Sequence, residues 1–167
     1  MGPDGIEGQE PDTEGAKGHL RATRRSLPIA LLRARESVMA HFRPMLSRHD
    51  LTEQQWRVIR VLAEEGEMDA TQLAGKALIL APSLTRMIRL LEKRLLIFIR
   101  KDADDGRRTL VRIAPDGLGL IEKIRPESAA VYQMLEARCG GADLENLMDQ
   151  LDRLVSRLGP AEAQGDD

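Results

Sequence analysis

The sequence predicts a mainly helical protein with one small β-hairpin. In several long stretches, apolar residues recur at steps of three and four, which is the spacing of a buried helix face. The 167 residues include only two Phe, one Tyr and one Trp. The core must therefore consist of aliphatic side chains, which suits packed helices better than a β-sandwich. Two short β-rich runs flank an Asp-Gly pair, a pattern typical of a hairpin.

Composition places the chain among ordinary globular proteins. Hydrophobic residues make up 42% and charged residues 31%, and no apolar run approaches the length that spans a membrane. The opening residues, MGPDGIEGQE, lack the basic and apolar regions of a secretion signal. Cys139 is the single cysteine, which excludes an internal disulfide and suits the reducing cytoplasm. We therefore expect a cytoplasmic protein with no membrane partner.

The first three helices are indicated by periodicity and by capping residues. The apolar face of the first comprises Leu27, Leu31, Ala34, Val38, Phe42 and Met45. The second helix begins at Thr52, a good N-cap, with Gln55 completing a capping box, and it stops at Gly66. The third helix is short, with Asp69 as its N-cap and Gly75 as its stop.

The fourth helix follows after only a few residues, so the third and fourth helices form a helix-turn-helix. Pro82 fits the first turn, where its missing N–H is harmless. The predicted buried stripe consists of Leu84, Ile88, Leu91 and Leu95. A second, polar face carries Ser83, Arg86, Arg89 and Lys93.

A hairpin and two long helices complete the chain. The predicted strands are Leu96–Lys101 and Thr109–Ile113. The next helix starts in the segment APDGLGLIEKI and runs to about Arg138, with a kink at Pro126. The last helix has Asp143 as its N-cap and an apolar stripe of Leu144, Leu147, Leu151, Leu154 and Leu158.

A helix-turn-helix followed by a hairpin is a winged helix-turn-helix. We place it at about residues 52–114, within a single domain that covers residues 27–158. Residues 1–26 are predicted to be a disordered acidic tail and a basic arm, and residues 159–167 a second disordered tail, since neither has much to bury. The long helices that flank the winged part cover residues 27–50 and 115–158.

The hairpin tip and the fourth helix carry a local excess of positive charge. Residues 69–113 contain ten Lys and Arg against five Asp and Glu, a net +5 in a chain whose formal net charge is −2. Such an excess is the footprint of a polyanion partner. In duplex DNA, wing cations reach phosphates or the minor groove, and polar side chains of the second helix of the motif meet base edges. The predicted DNA-binding residues are Thr71, Gln72, Pro82, Ser83, Thr85, Arg86, Arg89, Lys101, Arg107 and Arg108.

Asp102 and Asp105 are predicted to stabilise the hairpin tip. A solvated turn needs a single Asp-Gly pair, whereas residues 100–108, RKDADDGRR, contain three aspartates and two adjacent arginines. Carboxylates at the tip can hold the arginines in place by charge-assisted hydrogen bonds. We therefore interpret the tip as a wing shaped to lie along DNA.

Two segments resemble the multiple antibiotic resistance regulator (MarR) family. SLTRMIRLLEKR, residues 83–94, is similar to the recognition helix of that family. DADDGRRTLVRIAPDG, residues 102–117, is similar to its D-x-x-D-x-R wing and to the strand and helix start that follow. The resemblance extends over residues 27–158. Residues 31–62 further resemble the branch that controls homoprotocatechuate and hydroxyphenylacetate breakdown.

The resemblance implies a homodimer, joined by its first and last helices, that represses transcription from a pseudo-palindromic operator in double-stranded DNA. The C-terminal leucine stripe agrees, because it is too apolar for a lone surface helix. Two features depart from the family pattern. Leu95 stands where a glycine commonly ends the recognition helix, so either the helix runs on or this residue is strained. Phe98 and Ile99 replace charged residues on the hairpin, which removes possible phosphate contacts.

The resemblance also implies release from DNA by a small aromatic carboxylate bound between the dimer helices and the DNA-binding part. The candidate effector contacts are Arg35, His41, Gln55 and Trp56. Arg35 borders the apolar stripe of the first helix and can pair with a carboxylate, while Trp56 can stack on an aromatic ring. Structural alternatives are an ion pair across the dimer for Arg35, a core position for His41, and a contact with Leu51 for Trp56.

Other functions are weighed against this hypothesis. Cys139 would serve a redox-sensing repressor, and a multidrug-type repressor is a further variant. A winged-helix protein-interaction module without DNA binding would have no reason to keep the arginines of the fourth helix and wing. An enzyme is disfavoured, because we find no nucleophile–base spacing, phosphate-binding loop or paired carboxylates. We predict no cofactor and no metal, since the three histidines lack the spacing of metal ligands.

Overall fold

The structure, a computed structural model, describes residues 26–159. Nearly all of the predicted terminal tails and basic arm, at residues 1–25 and 160–167, lies outside the described residues. The described residues divide into two units, with the boundary between residues 40 and 41. No helix within the described part of the chain is long and apolar enough to cross a membrane.

Helices dominate the described residues. They are α1 (Leu27–Arg48), α2 (Glu53–Glu65), α3 (Ala70–Lys76), α4 (Ala81–Lys93), α5 (Pro115–Cys139) and α6 (Gly141–Leu158). The strands are β1 (Met68–Asp69), β2 (Ile97–Lys101) and β3 (Thr109–Ile113). Helices α3 and α4 form the helix-turn-helix, and β2, β3 and the residues between them form the wing. The predicted fold class, mainly helical with a winged helix-turn-helix between long helices, is confirmed.

The sheet contains a strand that the sequence does not predict. Its order is β1-β3-β2 with antiparallel pairing, so β3 is central. Met68 of β1 pairs with Val111 of β3, and Asp69 pairs with Leu110. Because β1 has only two residues, it shows no alternation that sequence reading could detect. It ties the entry of the helix-turn-helix directly to the wing.

The core of the second unit is aliphatic, as the composition predicts. Its fully buried side chains include Ile59, Leu62, Leu73, Leu91, Ile97, Val111 and Ile124, from α2, α3, α4, the sheet and α5. Gly117, in the first turn of α5, packs against the backbone of Leu96, the residue before β2. A Cβ there would lie 2.2 Å from the backbone oxygen of Leu96, so only glycine lets α5 lie against the start of β2.

Three helices end with a non-glycine residue in the left-handed region. Asp50, Leu78 and Leu95, after α1, α3 and α4, have φ angles of 53°, 53° and 59°. After α4, the N–H of Leu95 donates to the Glu92 carbonyl at 2.8 Å, and the N–H of Leu96 donates to the Leu91 carbonyl at 3.0 Å. These two bonds define a Schellman motif. The recognition helix α4 therefore ends at Lys93, and Leu95 is the strained residue.

Both predicted N-caps early in the chain are confirmed. Thr52 and Gln55 form a capping box at the start of α2. The carboxylate of Asp69 accepts a hydrogen bond from the backbone N–H of Gln72 at 2.8 Å and so caps α3.

Two other predicted boundaries are wrong. Gly75 does not stop α3, which continues to Lys76 and is followed by Ala77 at its C-cap and by the left-handed Leu78. Asp143 does not cap α6, which begins two residues earlier. Gly140, with φ of 84°, lets the chain turn directly from α5 into α6. The predicted long helix is present as α5, and it remains one helix through Pro126.

Candidate nucleic-acid interface and effector groove

The recognition helix presents one polar face to solvent. Buried Leu84, Ile88 and Leu91 anchor its other side. The hydroxyl of Thr85 donates to the Ala81 carbonyl at 3.1 Å, and its oxygen can still accept a hydrogen bond. The exposed residues of the polar face are Pro82, Ser83, Thr85, Arg86, Arg89 and Lys93, and Thr71 and Gln72 are exposed at the start of α3. The structure thus gathers the predicted helix-turn-helix contacts on accessible surface.

The two aspartates at the wing tip act on the backbone. Asp102 accepts the N–H of Asp104 at 3.0 Å, and Asp105 accepts the N–H of Arg107 at 3.0 Å. Both are Asx turns, which fix a tight loop. Neither carboxylate forms an ion pair with an arginine within residues 26–159. Among residues 26–159, these aspartates therefore act on the tip through backbone N–H groups, with one oxygen of each carboxylate, and the expected bonds to arginine side chains are not formed.

Arg108 is held instead by the N-cap of α3. Its guanidinium donates to the Oδ2 atom of Asp69. The hydrogen bond and the charge of Asp69 raise the pKa of Arg108, with a smaller contribution from the charges of Asp102 and Asp105. The predicted DNA contact Arg108 thus also ties the wing to the helix-turn-helix. Arg100 is paired in a similar way, since its Nε atom donates to Glu67 Oε2 at 3.1 Å.

Three other arginines of this surface do not form such an ion pair among residues 26–159. Arg86, Arg89 and Arg107 are exposed, and their guanidinium groups have no acceptor among residues 26–159. Lys101 makes only a 3.3 Å contact with the Thr109 hydroxyl. Cations without protein partners keep their full capacity to bind phosphates or base edges.

An exposed aromatic residue of the hairpin contacts an arginine on the neighbouring strand. Phe98 is 40% exposed on the edge strand β2. The guanidinium of Arg112, its cross-strand partner, lies 4.6 Å from the centre of the Phe98 ring. This cation–π contact covers the apolar edge while keeping a positive charge on the hairpin.

A groove of about 510 Å³ lies between α2 and α5. Trp56 and Arg60 line it from α2, with the guanidinium 5.7 Å from the centre of the indole. Arg125 and Tyr132 line it from α5. The ring of Tyr132 packs edge-on against buried Phe42, with ring centres 5.2 Å apart. The groove therefore combines aromatic walls with two arginines.

The carboxylate partners of these arginines are exposed neighbours on the same helices. Arg60 Nε donates to Glu64 at 2.7 Å, and Arg125 donates to Glu122 three residues before it. Exposed pairs within one helix are weak in water. Each arginine can therefore exchange its glutamate for another anion at small cost.

The four predicted effector contacts do not line a common groove in the structure. Trp56 lines the α2–α5 groove. Gln55 does not, because its side-chain oxygen accepts the N–H of Thr52 at 2.9 Å and it borders a different depression beside the start of α4. His41 is exposed on α1. Arg35 lies in the first unit and donates to Glu36 at 2.6 Å, a neighbour on its own helix.

Sequence reasoning missed three lining residues of the groove. Arg60 could have been found, because it follows Trp56 by four residues and so shares its helix face. Arg125 and Tyr132 are more than sixty residues further along the chain, and no local pattern connects them to α2.

Comparison with known proteins identifies the family. The MarR family matches residues 51–109, from the residue before the α2 N-cap to the first residue of β3. The homoprotocatechuate degradative operon repressor of Escherichia coli is 37% identical over 131 residues, which cover 78% of this chain and 88% of the repressor. The chain belongs to the MarR family.

Solved structures agree with this assignment to MarR. The crystal structure of the transcriptional regulator PA4135 has a TM-score of 0.78 at 39% identity, covering 82% of this chain and 100% of that one. The crystal structure of NadR in complex with 4-hydroxyphenylacetate has a TM-score of 0.70 at 38% identity, covering 81% and 96%. Both matches extend well beyond the winged part into the long helices.

As a MarR protein, the chain is a DNA-binding transcriptional regulator and not an enzyme, and regulators of this family bind DNA as dimers. Helix α6 fits such an assembly. It buries no residue within the single chain, and its exposed apolar side chains are Leu147, Met148, Val155 and Leu158. An exposed apolar face of this kind marks an interaction surface.

Proposed function

We propose that this MarR protein is a cytoplasmic homodimeric repressor that leaves a pseudo-palindromic operator when a small phenolic carboxylate fills the α2–α5 groove. One observation carries the proposal. The unit that presents partner-free arginines on a winged helix-turn-helix also contains a groove where aromatic rings and arginines converge.

The DNA-binding half of the proposal rests on the recognition helix and the wing. Arg86 and Arg89 can each offer a planar fork to the O6 and N7 atoms of guanine in the major groove. Ser83 and Thr85 lie on the same face for further base contacts. In the proposed complex, Arg107 at the wing tip contacts phosphates or the minor groove, and so does Lys101.

The proposed dimer rests on the exposed apolar faces of the outer helices. On α1, Leu27, Leu31 and Val38 are between 40% and 52% exposed, and α6 carries the exposed set described above. A two-fold dimer built on these helices would set two recognition helices about 34 Å apart, in successive major grooves. The operator should then be a pseudo-palindrome with half-sites one helical turn apart.

The effector half rests on the chemistry of the groove. Its volume of about 510 Å³ falls in the usual range for small-molecule sites. The ring of a phenolic acid can stack on Trp56, and its carboxylate can replace Glu64 or Glu122 on Arg60 or Arg125 in a charge-assisted bond. The Tyr132 hydroxyl can bond the phenol. Arg35 and His41 of α1 are kept as candidate contacts in the dimer.

The names of the relatives support a phenolic carboxylate. The Escherichia coli relative represses an operon for homoprotocatechuate degradation, and NadR was crystallised with 4-hydroxyphenylacetate. Both compounds combine a hydroxylated ring with a carboxylate on a short arm. This combination matches a groove that presents Trp56 and Tyr132 together with Arg60 and Arg125.

Fluorescence anisotropy on a labelled fragment from upstream of the protein's own gene tests the proposal. Titration with 4-hydroxyphenylacetate, 3,4-dihydroxyphenylacetate and benzoate should release the wild type with one of the hydroxylated acids. Arg60→Met should need at least about tenfold more acid, since it loses a charge-assisted bond. Arg153→Ala, which removes an arginine from α6, is the matched control.

The two halves of the proposal fail separately. No measurable binding to any fragment would contradict the DNA-binding role of the wing and recognition helix. Tight binding that no aromatic acid disturbs would contradict the effector class and leave the repressor, and oxidation of the exposed Cys139 would then test the redox-sensing alternative.

A further inference from the structure

The turn that follows α1 is bonded to the end of the recognition helix. His49 and Asp50 form this turn, with Asp50 in the left-handed region. Arg94, the residue directly after α4, donates from Nη1 to the Asp50 carbonyl at 2.6 Å and from Nη2 to the His49 carbonyl at 3.1 Å. A forked guanidinium that spans two carbonyls fixes direction as well as distance. These bonds fasten the C-terminal end of α4 to the His49–Asp50 turn.

The same turn is bonded to α5 through its imidazole. His49 Nε2 lies 2.7 Å from Glu127 Oε1, and Arg48 Nε donates to Glu127 Oε2 at 3.0 Å. The hydrogen bond from Arg48 is the largest of the effects that lower the pKa of Glu127, so the carboxylate is ionised and only accepts. His49 Nε2 must therefore carry the proton. The His49 side chain is only 8% exposed, and that of Glu127 is 33% exposed.

Helix α5 also forms one wall of the α2–α5 groove. Arg125 and Ser128 line the groove, and Glu127 lies between them in the chain. Packed helices shift as units when a ligand enters between them. A ligand that displaces α5 therefore moves the Glu127 carboxylate, and with it the imidazole that the carboxylate holds.

A small tilt of the recognition helix at its Arg94 end produces a larger displacement at its other end. It has 13 residues and so is about 20 Å long. A tilt of about 5° at the Arg94 end moves the opposite end by roughly 2 Å over that length. Hydrogen bonds to bases do not survive a shift of this size. The start of α4, with Ser83 and Arg86, is the end that moves most.

We infer that the His49–Asp50 turn is a joint that sets the position of the recognition helix against α5, with Arg94, His49 and Glu127 as positioning residues. The inference rests on the proposed function only in naming a phenolic acid as the ligand that displaces α5. The joint itself operates in the free protein, so it can be tested without an effector.

A double-mutant cycle on operator affinity tests the joint, with the full-length dimer and no effector. Arg94→Ala and Glu127→Ala should each weaken operator binding by at least about threefold, and the double variant should bind little worse than the weaker single variant. Non-additivity is expected because Arg94 and Glu127 do not touch each other and meet only through residue 49. Losses that multiply would overturn the inference.

Matched controls come from residues that make no bond to the turn. Arg153 Nε donates to the Asp149 carbonyl within α6 at 3.1 Å, so Arg153→Ala removes the same charge and a similar bond. Glu136→Ala removes an exposed carboxylate further along α5. Either control combined with Arg94→Ala should give additive effects. If Arg94→Ala unfolds on heating much earlier than wild type, Arg94→Lys replaces it, since lysine keeps the charge but cannot fork across two carbonyls.

Titration of the same variants with 4-hydroxyphenylacetate distinguishes the two possible failures. Arg94→Ala should still bind the acid in calorimetry, while the acid should shift its operator Kd by a smaller factor than in wild type. An additive cycle together with normal release overturns the joint and keeps the proposed function. A non-additive cycle without release of the wild type keeps the joint and contradicts the effector class.

Discussion

Asp69 connects two elements through its two carboxylate oxygens. Its Oδ1 atom accepts the N–H of Gln72 and caps α3, and its Oδ2 atom accepts from the guanidinium of Arg108 in the wing. The side chain is only 13% exposed. The bond from Gln72, and after it the bond from Arg108, lowers the pKa of Asp69. One side chain therefore supports both the start of the helix-turn-helix and the placement of the wing.

Two substitutions at Asp69 separate these contributions. Asp69→Asn keeps a good N-cap but removes the charge that pairs with Arg108. It should lower the melting temperature slightly, because an ion pair with an exposed arginine stabilises little, and it should weaken operator binding. Asp69→Ala loses the cap as well, so it should lower the melting temperature further. Thermal unfolding and anisotropy measure the two effects, and identical behaviour of the two variants would contradict the division.

The pH dependence of stability follows from the same carboxyl group. Its pKa is lower in the folded chain than the ordinary value of 3.8, so the folded state favours the ionised form. The resulting stabilisation is present above that value and is lost as the pH falls through the folded pKa. Denaturant unfolding below about pH 4 should therefore show a smaller loss for Asp69→Asn than for wild type. Equal losses would mean that other carboxylates control acid unfolding.

Leu95 stores backbone strain after the recognition helix. It has φ of 59° and a side chain that is 63% exposed, so it contributes little packing. Leu95→Gly should raise stability by up to about 1 kcal/mol, because removing the strain outweighs the entropy that glycine adds to the unfolded chain. Leu95→Ile should lower stability, since a β-branched residue fits the left-handed region poorly. Calorimetry of the three proteins tests the order.

At the scale of elements, three arginines of the wing differ in what holds their guanidinium groups. Arg100 and Arg108 are paired with Glu67 and Asp69 and fix the hairpin against the helix-turn-helix. Arg107, at the tip, has no acceptor within the described chain, and its backbone N–H is held by Asp105. The paired arginines therefore position the wing, whereas the Arg107 guanidinium is available for a contact outside the described chain.

Arg107→Ala should weaken operator binding at least about tenfold while the dimer stays folded, because the contact it removes is charge-assisted. Anisotropy gives the affinity, and light scattering with circular dichroism checks the dimer and its fold. Arg138→Ala, which removes an exposed arginine from the end of α5, is the control for net charge. Unchanged operator affinity in Arg107→Ala would show that the wing tip does not touch DNA.

Most elements could be predicted from the sequence, but the way they end could not. Periodicity and caps located α2, α3 and α4, because these signals act within a few residues. Gly75 and Asp143 misled the prediction, since the helices end or begin where neighbouring backbone groups complete a Schellman motif or a glycine turn. Strand β1 exists only because β3 offers it a partner, and such a partner has no local signature.

At the scale of the whole molecule, charge is distributed for a polyanion. Residues 69–113 carry a net +5, whereas the entire chain has a formal charge of −2. A dimer would present this surface twice, on the two winged parts, and the remainder of the chain would repel nucleic acid. This asymmetry distinguishes a DNA-binding protein from an interaction module that uses the same fold.

The salt dependence of operator affinity tests whether this basic surface contacts phosphates. Operator affinity should fall steeply with salt, since each phosphate contact releases counterions, and Arg107→Ala should reduce the slope of log K against log salt by about 1 per wing. Anisotropy titrations at several salt concentrations give the slope. Binding that does not depend on salt would argue against phosphate contacts by this surface.

The sequence by itself determined the helical core, the order of the elements and the basic face of the recognition helix, because helix periodicity, capping and local charge depend on residues close together in the chain. Only the tertiary structure decided which groups meet across long separations. It paired Arg108 with Asp69, placed Tyr132 and Arg125 opposite Trp56, and joined Arg94 and Glu127 at the His49–Asp50 turn. These contacts depend on how helices pack, and packing is set by the whole core rather than by any one segment.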